Sequence, residues 1–170
     1  HASYSCRLGK GTHAAVAELR HFLREASRNN TRTVYALKCD VRKFFDSVDH
    51  AVLFRLLEAR IADPKILWLA RHIIGSFSSS PGKGIPLGNI TSQLFSNIYL
   101  HELDWHFKQE LRVRHYVRYC DDFVVLSYSP GEAANIARQA DDFLRRFLKI
   151  ELHPGKTRIR TWKQGIDFLG

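Results

Sequence analysis

The sequence predicts a two-layer α+β fold, an antiparallel sheet in the ferredoxin-like split βαβ order with helices on one face. Three observations carry this. Short β-prone runs alternate with amphipathic helical segments. Two of those runs are joined by a tight acidic turn, the mark of a hairpin. With the extra helices set aside, the order is strand, helix, strand, strand, helix, strand.

Taken in chain order, Thr12 is placed to cap a helix in which Val16, Leu19, Leu23 and Ala26 recur at helical steps, ending near Ser27 to Asn30. Thr33 to Cys39 is β-prone. Asp49 and Asp63 stand as caps of two helices, 50–60 and 64–74, with Pro64 at the favoured first helical position. Gly75 to Gly84, rich in Ser, Gly and Pro, reads as a loop. Leu94, Phe95, Ile98, Leu103 and Phe107 mark a long amphipathic helix. Tyr116 to Tyr119 and Phe123 to Tyr128 form the hairpin, with Asp121-Asp122 as its turn, closed by Pro130 and Gly131. Ile136, Ala140, Phe143, Leu144 and Phe147 give a helix over 132–149, and 150–152, 157–162 and 166–169 read as short strands.

A chain of 170 residues fits one domain and buries roughly 70% of its unfolded surface. No apolar run approaches the roughly 20 residues of a membrane span, so no membrane partner is expected. Lys and Arg number 26 against 17 Asp and Glu, a net charge of +9 that suits a phosphate-rich partner. Cys6, Cys39 and Cys120 are odd in number and widely spaced, which points to a reduced, intracellular protein. The nine histidines have no zinc-ligand spacing. The chain opens on His1 and contains no methionine, so a piece of a longer protein is expected.

Three acids have positions that solvation alone does not explain. Asp40 ends an apolar strand, and Asp121 and Asp122 sit at the turn between two more. The predicted order makes these strands central neighbours, so the carboxylates can converge. Converging carboxylates raise one another's pKa unless cations sit among them. Hard oxygen donors suit two Mg²⁺ ions, with Mn²⁺ as a substitute, the pair that clamps an in-line phosphoryl transfer.

The words around these acids resemble a known family. Asp40-Val41-Arg42-Lys43-Phe44-Phe45-Asp46-Ser47 is similar to motif A of reverse transcriptases, residues 84–100 to motif B, and Tyr119-Cys120-Asp121-Asp122 to motif C. Arg7 to His13, His153 to Thr157 and Phe168 to Gly170 match the blocks that flank them, in order. The resemblance covers nearly the whole chain. It implies a polymerase palm with partial helical fingers, 1–33 and 50–87 being fingers and 34–49 and 88–170 palm, the N-terminal fingers and thumb lying outside the chain.

The resemblance also implies roles. Asp40, Asp121 and Asp122 hold the metals, with the Val41 carbonyl completing a site. Phe45 is the steric gate that excludes a ribose 2′-hydroxyl. Pro86, Leu87, Gly88 and Gln93 flank the incoming nucleotide, and Gly88 lets backbone approach the nascent pair. Lys156 stands near the departing pyrophosphate, Arg7 and Lys10 near template or triphosphate, and Phe168, Leu169 and Gly170 form a primer grip. Asp46 and Asp49 are structural, and Cys39 and Cys120 pack on the opposite face from the acids.

The expected partners are an RNA template, a DNA or RNA primer, deoxynucleoside triphosphates and an accessory protein of a retroelement, in a bacterial or phage-encoded cytoplasmic setting. Leu87 in place of the commoner Gln, with Ser92-Gln93, is similar to the wording of diversity-generating retroelement enzymes, which are error-prone. Group II intron, retron and phage-defence types are the neighbouring alternatives. A palm-shaped RNA-binding module without catalysis is another, set against the retention of all three acids. An RNA polymerase is disfavoured by the ring at 45. The isolated chain is expected to bind primer and template poorly and to show little activity.

Overall fold

A computed structural model of the chain describes residues 2–169. Its centre is β1, Tyr35–Asp40, whose alternation sends Leu37 and Cys39 to one face and Ala36, Lys38 and Asp40 to the other. β3, Asp122–Ser127, pairs antiparallel with β1, placing Asp40 opposite Asp122. β2, Tyr116–Tyr119, pairs with β3, and β4, Arg158–Thr161, with the other edge of β1. The order β2-β3-β1-β4 is that of the split βαβ pattern the sequence predicts.

Between β1 and β2 run α2 (Phe44–Ser47), α3 (His50–Glu58), α4 (Pro64–Gly75) and α5 (Ile90–Trp105). The caps at Asp49 and Asp63 form as the sequence implies: Val52 N donates to Asp49 Oδ1 at 2.9 Å and Lys65 N to Asp63 Oδ1 at 2.8 Å. α6, Pro130–Phe143, follows β3 and ends in a π-helical turn, Leu144–Leu148. Leu53, Leu57, Tyr99, Leu103, Ala140 and Leu144 pack with Leu37, Cys39 and Phe123 into the main core, on the face of the sheet away from the acids.

The second face is also covered. α1, Thr12–Ala26, lays Ala15, Leu19 and Ala26 against Ala36, Val117, Val124 and Leu126. Helices thus lie on both faces of the sheet, α5 and α6 on one and α1 on the other, where the sequence pattern leads one to expect them on one face alone. The reason is that the apolar stripe of α1 buries against the second face. Residues 2–5 run beside β2, where Tyr4 N donates to the Arg118 carbonyl at 2.8 Å and Arg118 N to the Ala2 carbonyl at 2.9 Å.

Four local expectations are corrected. Thr12 is the first helical residue, and Gly11 holds the cap position with no side-chain hydrogen bond. The hairpin turn is Cys120-Asp121, with Asp122 already in β3, because Tyr119 pairs with Asp122. The 166–169 segment is no strand: it crosses the face of the sheet to bury Phe168 beside Val34, Ala36 and Val117, and that burial outweighs pairing at an edge. The 150–152 segment makes a single bridge, Leu152 to Val41, beyond the end of β1.

Candidate active site

Strand alternation and register assemble the site on the face away from the main core. Asp40 and Asp122 are cross-strand partners at the ends of β1 and β3, and Asp121 stands beside them in the turn. The Asp40 backbone is pinned from the far side, since His153 N donates to its carbonyl at 2.8 Å and Arg42 N donates to the Glu151 carbonyl at 2.9 Å. The Val41 side chain is buried in the core, so that residue offers the site only its backbone.

Two lysines meet the acids. Lys156 Nζ lies 3.2 Å from Asp40 Oδ2, and Lys38 Nζ 3.3 Å from Asp122 Oδ2. Lys38 is not among the residues the sequence singles out. Its signal is nonetheless present, because residues 38 and 40 share a strand face and 38 faces 122 diagonally across the ladder. On the β4 side, Arg158 sits opposite Lys38 and Arg160 opposite Ala36. These side chains, with Asp40, Lys156, Gly165 and Asp167, line a cavity of about 300 Å³. Like charges placed opposite one another are unfavourable alone, and an anionic ligand relieves them.

Burial raises the Asp122 carboxyl to about 6, the nearby Lys38 opposing the rise and the charges of Asp40 and Asp121 adding to it. Asp121 is also raised, by burial first and by Asp40. Asp122 Oδ1 is buried with no hydrogen-bond partner. Among the described residues no three His, Cys, Asp or Glu side chains form a ready-made metal cluster. What fits a hard divalent cation is the donor chemistry: carboxylate oxygens, one of them orphaned, whose mutual repulsion a cation would reverse.

The raised Asp122 has a consequence for stability. A carboxyl whose folded pKa exceeds its unfolded value stabilises the fold below about pH 4 and loses that contribution as pH rises through about 6. Asp122→Asn is therefore expected to be more stable than the parent at pH 8, by on the order of 1–2 kcal/mol after allowing for solvent access. The gap closes at pH 4. Urea melts at the two pH values in chelator-treated buffer check this, and equal gaps at both would contradict it.

Motif B and the loop before it show where the backbone is constrained. Gly84 has φ 100°, and a Cβ there would lie 2.6 Å from Ser79 Oγ and 2.9 Å from Ser79 N, so glycine is required. Gly88 has φ 88° with open space where a side chain would stand. Leu87 beside it is exposed, and Pro86 is half-buried. Of the adjacent rings, Phe44 is buried against Tyr99, while Phe45 is half-buried at the edge of the core.

The other expected residues have contacts of their own. Gln93 Oε1 accepts from Cys6 Sγ at 3.1 Å, and Lys10 Nζ donates to the Ser3 carbonyl at 3.3 Å and lies over the Tyr4 ring. Both are thus tied to the N-terminal segment. Arg7 is exposed. Phe168 is buried in the second core, and Leu169 is half-buried with φ 66°. Gly170 lies outside the described residues. Cys39 packs in the main core as expected, whereas Cys120 sits in the turn with φ 55° rather than on a strand face.

Comparison with known proteins agrees with this geometry. The family described as reverse transcriptase (RNA-dependent DNA polymerase) matches residues 1–170. Protein YkfC of Escherichia coli is 27% identical over 99% of the chain and 54% of its own length. The group II intron-encoded protein LtrA of Lactococcus lactis is 27% identical over 77% of the chain and 33% of its own length. The chain therefore spans about half of one relative and a third of the other. Apo telomerase from Candida tropicalis shares the fold at a TM-score of 0.73 and 14% identity, over 99% of the chain and 35% of that protein. No helix among the described residues is long and apolar enough to cross a membrane.

Proposed function

The chain belongs to the reverse transcriptase (RNA-dependent DNA polymerase) family, and on that premise we propose that it is the palm and part of the fingers of an RNA-directed DNA polymerase. The observation that carries this reading is the register that sets Asp40 against Asp122 with Asp121 at the adjoining turn. In the proposed division, 1–33 and 50–87 belong to the fingers and 34–49 and 88–170 to the palm.

Asp40, Asp121 and Asp122 would hold two Mg²⁺ ions, which supply positive charge for the attack of a primer 3′-hydroxyl on the α-phosphate of a deoxynucleotide. Lys156, at Asp40, neutralises charge on the departing pyrophosphate or hands it a proton. The basic row of Lys38, Arg158 and Arg160 holds nucleic-acid backbone beside the acids. RNA template, primer and deoxynucleoside triphosphates are the proposed partners. Primer extension on RNA templates with Mg²⁺, comparing Asp121→Asn with wild type, tests the reading, and equal extension by the two would end it.

Phe45 is the proposed gate, because Phe44 is committed to the core and Phe45 stands at its edge. Phe45→Ala is expected to lose discrimination against ribonucleotides by roughly 10- to 100-fold, read as the ratio of kcat/KM for the two sugars. An unchanged ratio in a folded variant removes the gate.

We further propose low fidelity of the diversity-generating type. Leu87, exposed beside the open backbone of Gly88, has no amide with which to check a nascent pair. Leu87→Gln is expected to lower misincorporation, most at template adenines, when extension products are sequenced. No change in the error spectrum would remove this argument.

A further inference from the structure

Arg118 is fully buried on the face of β2 opposite the acids, pointing toward the last turn of α5. Its Nε and Nη2 donate to Asp104 Oδ1 and Oδ2, both at 2.7 Å, a fork-to-fork pair. The same guanidinium has a third contact: Nη1 donates at 2.8 Å to the carbonyl of Cys120. Cys120 is in the left-handed conformation, which a residue with a side chain holds only where its surroundings enforce it.

The backbone of Arg118 is fixed as well. It both donates to and accepts from the 2–5 segment, and that segment is tied to α5, where Ser3 Oγ donates to Asn97 Oδ1 at 2.9 Å and Asn97 Nδ2 to the Ser5 carbonyl at 3.0 Å. Tyr116 completes the group, its hydroxyl donating to Asp104 Oδ1 at 2.8 Å. α5 is the helix that begins just after Gly88.

We propose that Arg118 is a positioning residue for Asp121: it clamps the strained Cys120-Asp121 turn to α5 and so fixes the carboxylate against Asp40. A plain buried ion pair needs only the fork to Asp104. A third N–H, on Nη1, goes to the turn carbonyl and couples the motif C turn to the helix that carries motif B. The inference rests on the polymerase reading of Asp121 and adds to it a residue that touches neither substrate nor metal.

Two variants test it in the full-length protein. Arg118→Lys keeps a cation at Asp104 but lacks the planar fork that reaches both partners. The triple variant Arg118→Met, Asp104→Leu, Tyr116→Phe removes the charges and the hydroxyl of the cluster and leaves only the Cys120 carbonyl, the contact under test, without its donor. Either, once folded by its melting curve, is expected to show faster amide hydrogen exchange at residues 120–122 with the rest of the sheet unchanged. Primer extension should fall roughly 100-fold in kcat at unchanged KM for the deoxynucleotide, the cost of a misplacement of about an ångström.

Wild-type protection of the turn and wild-type kcat in a folded variant overturn the proposal. So does a loss in which exchange rises across the whole sheet and KM moves with kcat, since that is a general structural role. Asp121→Asn run alongside separates the two readings. If it retains activity, the polymerase reading fails; if it is inactive while both Arg118 variants match wild type, only the role of Arg118 fails.

Discussion

Asp121→Asn is expected to lower primer extension on an RNA template by about 1000-fold or more while leaving the fold as stable as the parent, or more so at neutral pH. The substitution keeps the shape of the side chain and removes its charge. Loss of one preorganised charged contact at a phosphoryl-transfer centre costs on this scale. The stability arm has the opposite sign for a physical reason. Burial and the charge of Asp40 raise the Asp121 carboxyl, so its ionised form weighs against folding at pH 7. A residue whose removal abolishes activity and does not harm stability is held for function. Single-turnover extension with thermal melts of the same preparation checks both arms, and activity within tenfold of wild type would refute the assignment.

Asp104→Ala is expected to have the largest effect on stability, a loss of roughly 3–5 kcal/mol. The substitution leaves the guanidinium of Arg118, 0% exposed, without its carboxylate, and leaves the Tyr116 hydroxyl without its acceptor. A fall in Tm of roughly 6–20 °C follows for a chain of this length. Restoring stability by adding Arg118→Met and Tyr116→Phe to an apolar residue at 104 would show that the loss comes from the stranded charge. A melt of Asp104→Ala indistinguishable from wild type would mean that water reaches Arg118 in solution.

Much of the site is legible in the chain's own local patterns. Asp40 is marked by its place at the end of an apolar run, Asp121 and Asp122 by the turn between two others, and the helix caps Asp49 and Asp63 by local chemistry alone. The expected strands that do not form, 150–152 and 166–169, are short apolar runs. In such a run β-propensity and burial cannot be told apart, and burial of Phe168 across the sheet wins. Arg118 stands out in no such way, and Lys38 does so only once the register of the two strands is known, because a lysine or arginine in a basic chain carries no local mark of having a partner.

The sequence by itself determined the order of elements, the three acids and their spacing, and the membership in a family, because these depend on periodicity, turn chemistry and ordered motifs. The tertiary structure alone decided which side chains meet. Antiparallel pairing set Asp40 against Asp122. Chain reversal brought Lys156 to Asp40 across 116 positions. The packing of α5 beneath the sheet turned Arg118 from one of 26 cationic residues into a buried one that bonds both Asp104 and the Cys120 carbonyl. Contacts between residues far apart in the chain follow from global packing, and no local window of the sequence contains them.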